Sequence, residues 1–337
     1  MLQLASNENP LGMSEAARRA AADALAGASW YPDANGTLLK EALSARLGVP
    51  ADWLTLGNGS SELLTLAALV NVEPGYAVLY SQYGFVVYGV AATHVHARHI
   101  VVPAREFGHD LAAMARAIDD DTRLIFIANP NNPTGTFIDG PRLLAFVRQV
   151  PAHVTVLIDE AYTEYLGPQQ RYDSIEWVGH LPNLIVARTF SKAYGLAGLR
   201  VGYAVSQPAM AGRLNAARPR FNVSTPAIAA ATAALADQDF VRRSHEMNAA
   251  GHEQLATGLS LLGLDCLRSA GNFVMVRVGD ATAFHQRLAS EGIAVSTLHN
   301  YALDEWLRIS VGLPEQNRHV LGAMARIVSD RHPVVAA

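Results

Sequence analysis

The sequence predicts an α/β protein, with a mostly parallel, doubly wound sheet followed by a smaller α+β part. Between about residues 50 and 205, short β-rich runs alternate with helical segments, as parallel strands joined by crossover helices require. After Asp237 the rhythm changes to one long helix and then shorter strands and helices. Of the 337 residues, 50% are hydrophobic and only 17% charged, which supplies a large core and excludes a disordered chain.

Taken in order, residues 14–26 are alanine-rich and helical, with Ser14 as N-cap. Residues 37–47 are amphipathic and stop at Gly48. The run 53–56 leads into Gly57-Asn58-Gly59-Ser60-Ser61-Glu62 and a helix to about Asn71, before the turn Glu73-Pro74-Gly75. Residues 77–80, 95–102, 124–128, 155–158, 184–187 and 201–205 are the expected strands. The long helix runs from about Asp237 to Leu262. Strands at 273–278, 293–295 and 307–311 follow, with helices at 281–291 and 314–328.

Composition also excludes function classes. A net charge of -4 and no basic surplus argue against a nucleic-acid partner. The apolar stretch 63–72 falls well short of the ~20 residues a membrane span needs. The N-terminus has no secretory pattern, and the single cysteine, Cys266, allows neither an internal disulfide nor a cysteine-only metal site. A reducing compartment fits, so a soluble cytoplasmic protein is expected. On a strand, His94 and His96 would share a face, with His99 close by, but no carboxylate or cysteine accompanies them. No metal is expected.

The chain holds 26 Lys and Arg residues, of which only Lys40 and Lys192 are lysine. A lysine kept among arginines points to a need for an amine, because guanidinium stays protonated. Lys40 lies in a helical pattern and reads as a surface charge. Lys192 lies in Thr-Phe-Ser-Lys-Ala-Tyr-Gly.

Four segments end strands, where such sheets bind ligands. Gly57–Glu62 offers glycines and a helix N-terminus suited to phosphate, although a plain turn with serine caps would look the same. Asn129-Pro130-Asn131-Asn132-Pro133-Thr134-Gly135 is a rigid loop presenting amides, or simply a turn of turn formers. In Leu157-Ile158-Asp159-Glu160-Ala161-Tyr162, an apolar strand ends in a carboxylate with a phenol three positions on; a helix cap is the plainer reading. Ser191–Arg200 supplies a lysine, a hydroxyl beside it and an arginine eight positions later. Together they provide an imine-forming amine, a carboxylate, a phenol, an amide and a phosphate cradle. Pyridoxal 5′-phosphate requires this set, because a carboxylate at its ring nitrogen keeps the ring an electron sink. No Gly-x-x-x-x-Gly-Lys-[Ser/Thr] loop competes.

On these motifs, with Ala5–Gly12, Tyr31-Pro32-Asp33, Phe221-Asn222-Val223, Gly271-Asn272-Phe273 and Leu307–Gly312, the chain resembles a fold-type-I aminotransferase of the class I/II superfamily. More narrowly, it resembles the histidinol-phosphate aminotransferase family. The resemblance implies a large domain over 31–235 and a small domain formed by 1–30 with 236–337. It implies that Lys192 bonds to pyridoxal 5′-phosphate, Asp159 faces the ring nitrogen, Tyr162 and Asn132 hold the phenolate oxygen, and Tyr83 stacks on the ring. Ser60, Ser61, Ser191 and Arg200 would take the cofactor's phosphate. Arg308 would meet a substrate anion, with Asn9 beside it. Tyr31 would reach the neighbouring subunit's site, which implies a homodimer.

Two features differ from the family pattern. The chain starts almost at Asn7-Glu8-Asn9-Pro10, without the usual preceding segment and its tyrosine. It also reads Gly292-Ile293-Ala294-Val295-Ser296 where the family has a phosphate-binding arginine last. Serine cannot replace a bidentate guanidinium. Arg220, where relatives commonly have proline, is a candidate to restore that anion contact. The expected activity is transamination between histidinol phosphate and 2-oxoglutarate. The alternatives are an aminotransferase for another amino acid, such as an aromatic one, a decarboxylase of the threonine-phosphate type, and a non-enzymatic cofactor-binding sensor.

Overall fold

The computed structural model describes residues 1–331. Strand β1 (Leu2–Gln3) opens the chain. Then come β2 (Leu54–Asn58), β3 (Ala77–Ser81), β4 (Arg98–Val102), β5 (Thr122–Ala128), β6 (Thr155–Asp159), β7 (Leu184–Thr189) and β8 (Val201–Val205). The last part adds β9 (Cys266–Leu267), β10 (Phe273–Arg277), β11 (Ile293–Ala294), β12 (Ser296–Thr297) and β13 (Trp306–Ser310).

The large sheet has the order β2-β8-β7-β6-β5-β3-β4. Strands β3 to β7 pair in parallel, whereas β8 runs antiparallel to both β7 and β2. The smaller sheet, β12-β13-β10-β9, is antiparallel.

Side-chain alternation explains the two faces. In β5, Ile125 and Ile127 enter one core, and Leu124, Phe126 and Ala128 enter the other. In β6, Val156 and Ile158 take the first face and Leu157 the second. With both faces covered, these strands read as continuous apolar runs. Helices Glu15–Ala24, Thr37–Leu47, Gly140–Gln149 and Thr225–Ala236 bury residues in the first core. Helices Ser60–Asn71, Val87–His94 and Pro208–Ala217 cover the second. A third core gathers Leu255, Val274, Phe284, Ile309 and Met324 around the smaller sheet.

The N-terminal stretch divides between these cores. β1 pairs with β11 and Leu4 joins the third core, but Ala17 is fully buried in the first, where its helix packs on Thr225–Ala236. Helix Glu15–Ala24 thus packs with the core of the large sheet, and the first residues pack with the smaller one.

Three local expectations are corrected. The strand expected over 95–102 begins at Arg98, because His94 ends a helix and His96 turns the chain with φ of 53°. His94 and His96 share no strand face, and among the described residues no group of three His, Cys, Asp or Glu is placed to hold a metal. Lys40 is not a free surface charge: it is half-buried and its Nζ donates to Asn215 Oδ1 at 3.3 Å. Among the described residues no helix is long and apolar enough to cross a membrane.

Ala17 is fully buried in the first core, so Ala17→Leu should cost about 1–3 kcal/mol of stability by overpacking. Chemical denaturation of the two proteins checks this.

Candidate active site

Strand register brings the chemical segments to one edge of the large sheet. Ala128 pairs with Asp159, Asp159 with Ala187, and Thr189 with Gly202. Because β8 is antiparallel, it starts at the edge where its neighbours end, and Arg200 just before it lands there too. A cavity of about 290 Å³ opens at this edge. It is lined by Ser60, Ser61, Asn132, Asp159, Tyr162, Ser191, Lys192, Arg200 and Arg308, together with Asn7, Phe85 and Thr189.

One end has the features that suit an anion. Helix Ser60–Asn71 starts with no side-chain cap, leaving its first N–H groups available, and the dipole adds positive character. Gly202 lets the backbone come close: a Cβ there would stand 2.5 Å from Ser60 N. Arg200 adopts the left-handed conformation at φ 56° and donates from Nη1 to Ser191 Oγ at 3.3 Å and Ala197 O at 3.0 Å.

The other end is a dry carboxylate. Asp159 is 4% exposed; Oδ2 accepts from the Tyr88 hydroxyl at 3.0 Å, and Oδ1 has no partner. Burial pushes its carboxyl up to about 6, against the pull of the Tyr88 hydroxyl and the Ala161 backbone N–H. Beyond the strand's end, Glu160 is held instead by Arg188, whose Nε donates to Oε2 at 2.9 Å.

Lys192 follows β7, and its Nζ donates to Ser6 O at 3.0 Å. Burial, and then the nearby Arg308 charge, bring its ammonium down to about 8. Burial brings Lys40 to about 8 as well, so a depressed value does not single out Lys192; its place in the cavity does. Tyr162 accepts from Asn7 Nδ2 at 2.9 Å, and burial pushes its hydroxyl up to about 12. Arg308, on β13, closes the cavity from the smaller sheet. Its Nη1 donates to Asn132 Oδ1 at 2.5 Å and its Nη2 to Ala5 O at 2.6 Å, while Nε has no partner. Burial pulls its value below the usual arginine range. The arrangement offers a partly neutral amine, an acceptor, a phenol and two guanidinium groups around one space.

The family model for aminotransferase class I and II matches residues 1–324. The chain belongs to the class I and II aminotransferases. Histidinol-phosphate aminotransferase 1 of Cupriavidus pinatubonensis is 54% identical over 330 residues, covering 97% of this chain and 88% of that one. Histidinol-phosphate aminotransferase 2 of Ralstonia nicotianae is 55% identical over 328 residues, covering 96% and 88%. The crystal structure of a histidinol-phosphate aminotransferase from Sinorhizobium meliloti, in complex with pyridoxal-5′-phosphate, is 31% identical with a TM-score of 0.92, covering 98% of this chain and 91% of that one.

Four expected site residues of this aminotransferase lie off the cavity wall. Tyr83 stacks on Phe107, with ring centres 5.9 Å apart, and Phe85 lines the cavity instead. Asn9 is buried as a clasp, donating to Ala193 O at 2.9 Å and Ser244 Oγ at 2.8 Å, while Asn7 from the same motif reaches the cavity. Arg220 is exposed over the Phe221 ring, and Tyr31, 82% exposed, stacks on that ring at 4.7 Å. Ser296 pairs with Arg308 across β12 and β13, but its hydroxyl turns to Thr297 O at 3.1 Å. Tyr88 was not marked by the sequence: it sits in an apolar helix where a phenol reads as core.

In the ligand-free protein the neutral Asp159 carboxyl suits its dry site better than the ion. Asp159 therefore favours folding below the unfolded value of 3.8, and this contribution is lost as pH rises through about 6. Over about two pH units it amounts to about 3 kcal/mol. The Asp159→Asn protein should lose less stability than the wild type between about pH 4 and 7, as read by thermal melting without ligand.

Proposed function

We propose that this aminotransferase moves the amino group of histidinol phosphate to 2-oxoglutarate with pyridoxal 5′-phosphate as cofactor. The observation that carries the reading is one cavity lined by both Lys192 and Asp159, whose Oδ1 has no partner, beside an uncapped helix N-terminus. Relatives of that name at 54% and 55% identity support the donor.

The residues fit the cofactor. Ser60, Ser61, Ser191 and Arg200 would hold its phosphate, Tyr162 and Asn132 its phenolate oxygen, and Asp159 its protonated ring nitrogen. When bound, the cofactor supplies an electron-withdrawing ring for the pair left when a proton leaves the donor's amino-bearing carbon. Lys192 Nζ is the group that takes that proton and returns it, and a value near 8 keeps part of it neutral at working pH. Asp159, as the ion, would accept the ring N–H and keep that proton in place. Arg308 presents its donors to the phosphate of the donor or a carboxylate of the acceptor. The buried walls exclude water from the reacting carbon.

We infer also a homodimer in which Tyr31 reaches the partner's site. The side chains of Trp30 and Tyr31, 79% and 82% exposed, leave a large aromatic surface uncovered, which supports this.

An amino-donor screen against 2-oxoglutarate tests the substrate. Histidinol phosphate should lead in kcat/KM, and preference for an unphosphorylated amino acid would overturn the donor assignment. Lys192→Ala should lower turnover by on the order of 10³-fold or more, with the fold retained by circular dichroism. For Tyr31, inactive Lys192→Ala and Tyr31→Phe subunits are mixed under exchange. One site of the mixed dimer then carries neither defect, so activity should rise above both parents. No rise with exchange confirmed would put Tyr31 outside the partner's site.

A further inference from the structure

We infer that Tyr88 is a positioning residue for Asp159: its hydroxyl fixes Oδ2 and leaves Oδ1 as the oxygen that meets the cofactor's ring nitrogen. This rests on the cofactor reading above and adds which oxygen acts and what holds it.

Tyr88 is the second residue of helix Val87–His94 and is fully buried. Its ring lies flat on Phe126, with centres 4.7 Å apart and planes 7° apart. The rings of Phe85 and Tyr80 meet it edge-on at 6.0 and 6.5 Å. Walls on several sides restrict the ring, so the hydroxyl points one way. It donates to Asp159 Oδ2 at 3.0 Å, while Oδ1 has no partner and the residue lines the cavity. Two equivalent oxygens thus become distinct: one is occupied by a protein donor and one is left for the ligand.

The donor is permanent. Burial and the neighbouring carboxylate push the Tyr88 hydroxyl well above its ordinary value, so it keeps its proton at any working pH. The Ala161 backbone N–H adds a smaller pull on the ion but belongs to the main chain, and the side chains around Asp159 cannot replace the phenol. Lys192 is the reacting amine, and Glu160 is engaged by Arg188. Tyr162 accepts from Asn7. On the adjoining strand, Ala128 O is bonded to His109 Nε2, and burial pulls that imidazole down to about 4, so it is neutral. Tyr301 acts on Tyr88 only as a further phenol. A hydrogen bond to the ion opposes what burial does to the carboxyl, so Tyr88 both aims Asp159 and keeps it charged.

The test compares wild type, Tyr88→Phe, Asp159→Asn and the double variant. Pyridoxal-phosphate affinity of each ligand-free protein is measured by fluorescence titration. The pH profile of kcat/KM is measured for the donor half-reaction. Tyr88→Phe should bind the cofactor about tenfold more weakly. It should also move the acid limb of the profile up by about one pH unit, which a purely structural residue would not do. In the Asp159→Asn background the same change should alter affinity by less than about twofold. Equal effects in both backgrounds, or an unmoved acid limb, would overturn the assignment. Failure of the wild type itself to bind pyridoxal phosphate would instead overturn the cofactor reading and this inference with it. Tyr88→Met, also lacking a hydroxyl but filling the ring's space, gives the same readings if the phenylalanine variant folds poorly.

Discussion

Asp159 sits at the end of β6, the central strand of a sheet buried on both faces, where an unpaired charge costs several kcal/mol. Much of the site answers that cost. A phenol from the helix after β3 takes one oxygen, and an amine from the segment after β7 supplies the nearby positive charge. The next carboxylate, Glu160, is neutralised separately by Arg188. The result is an acceptor fixed in direction before any ligand arrives, as preorganised electrostatics demand.

The anion end uses backbone more than side chains. A single reversed strand, β8, brings both Arg200 and Gly202 to the edge where the parallel strands finish. Gly202 clears space for the start of helix Ser60–Asn71, and the left-handed Arg200 curls back over Gly59, where a Cβ would stand 2.2 Å from Nη2. Glycine at these points is a requirement of close approach.

Much of this was legible in the sequence because period and punctuation are local. The helix at Ser14, the strands around Asp159 and Val201–Val205 and the long helix Gln238–Leu261 follow from pattern and caps. Lysine scarcity and the four strand-end segments pointed to the residues that now line one cavity. What escaped depends on tertiary direction. Nothing local says that His96 turns with positive φ, that Asn7 rather than Asn9 reaches the cavity, or that Phe85 rather than Tyr83 forms its wall. Tyr88 escaped because its ring is core and only its last atom is chemical.

Arg308 carries a further consequence. Its two terminal nitrogens each donate once, to Asn132 Oδ1 and Ala5 O, oxygens from the large-sheet loop and the N-terminal stretch, and each keeps a second N–H. The protein's own acceptors therefore fix the fork in place while leaving donors for an anion. Ser6, whose carbonyl accepts from Lys192, lies next to Ala5 in that stretch. Two adjacent carbonyls of one short stretch thus hold the guanidinium and the amine of the same cavity.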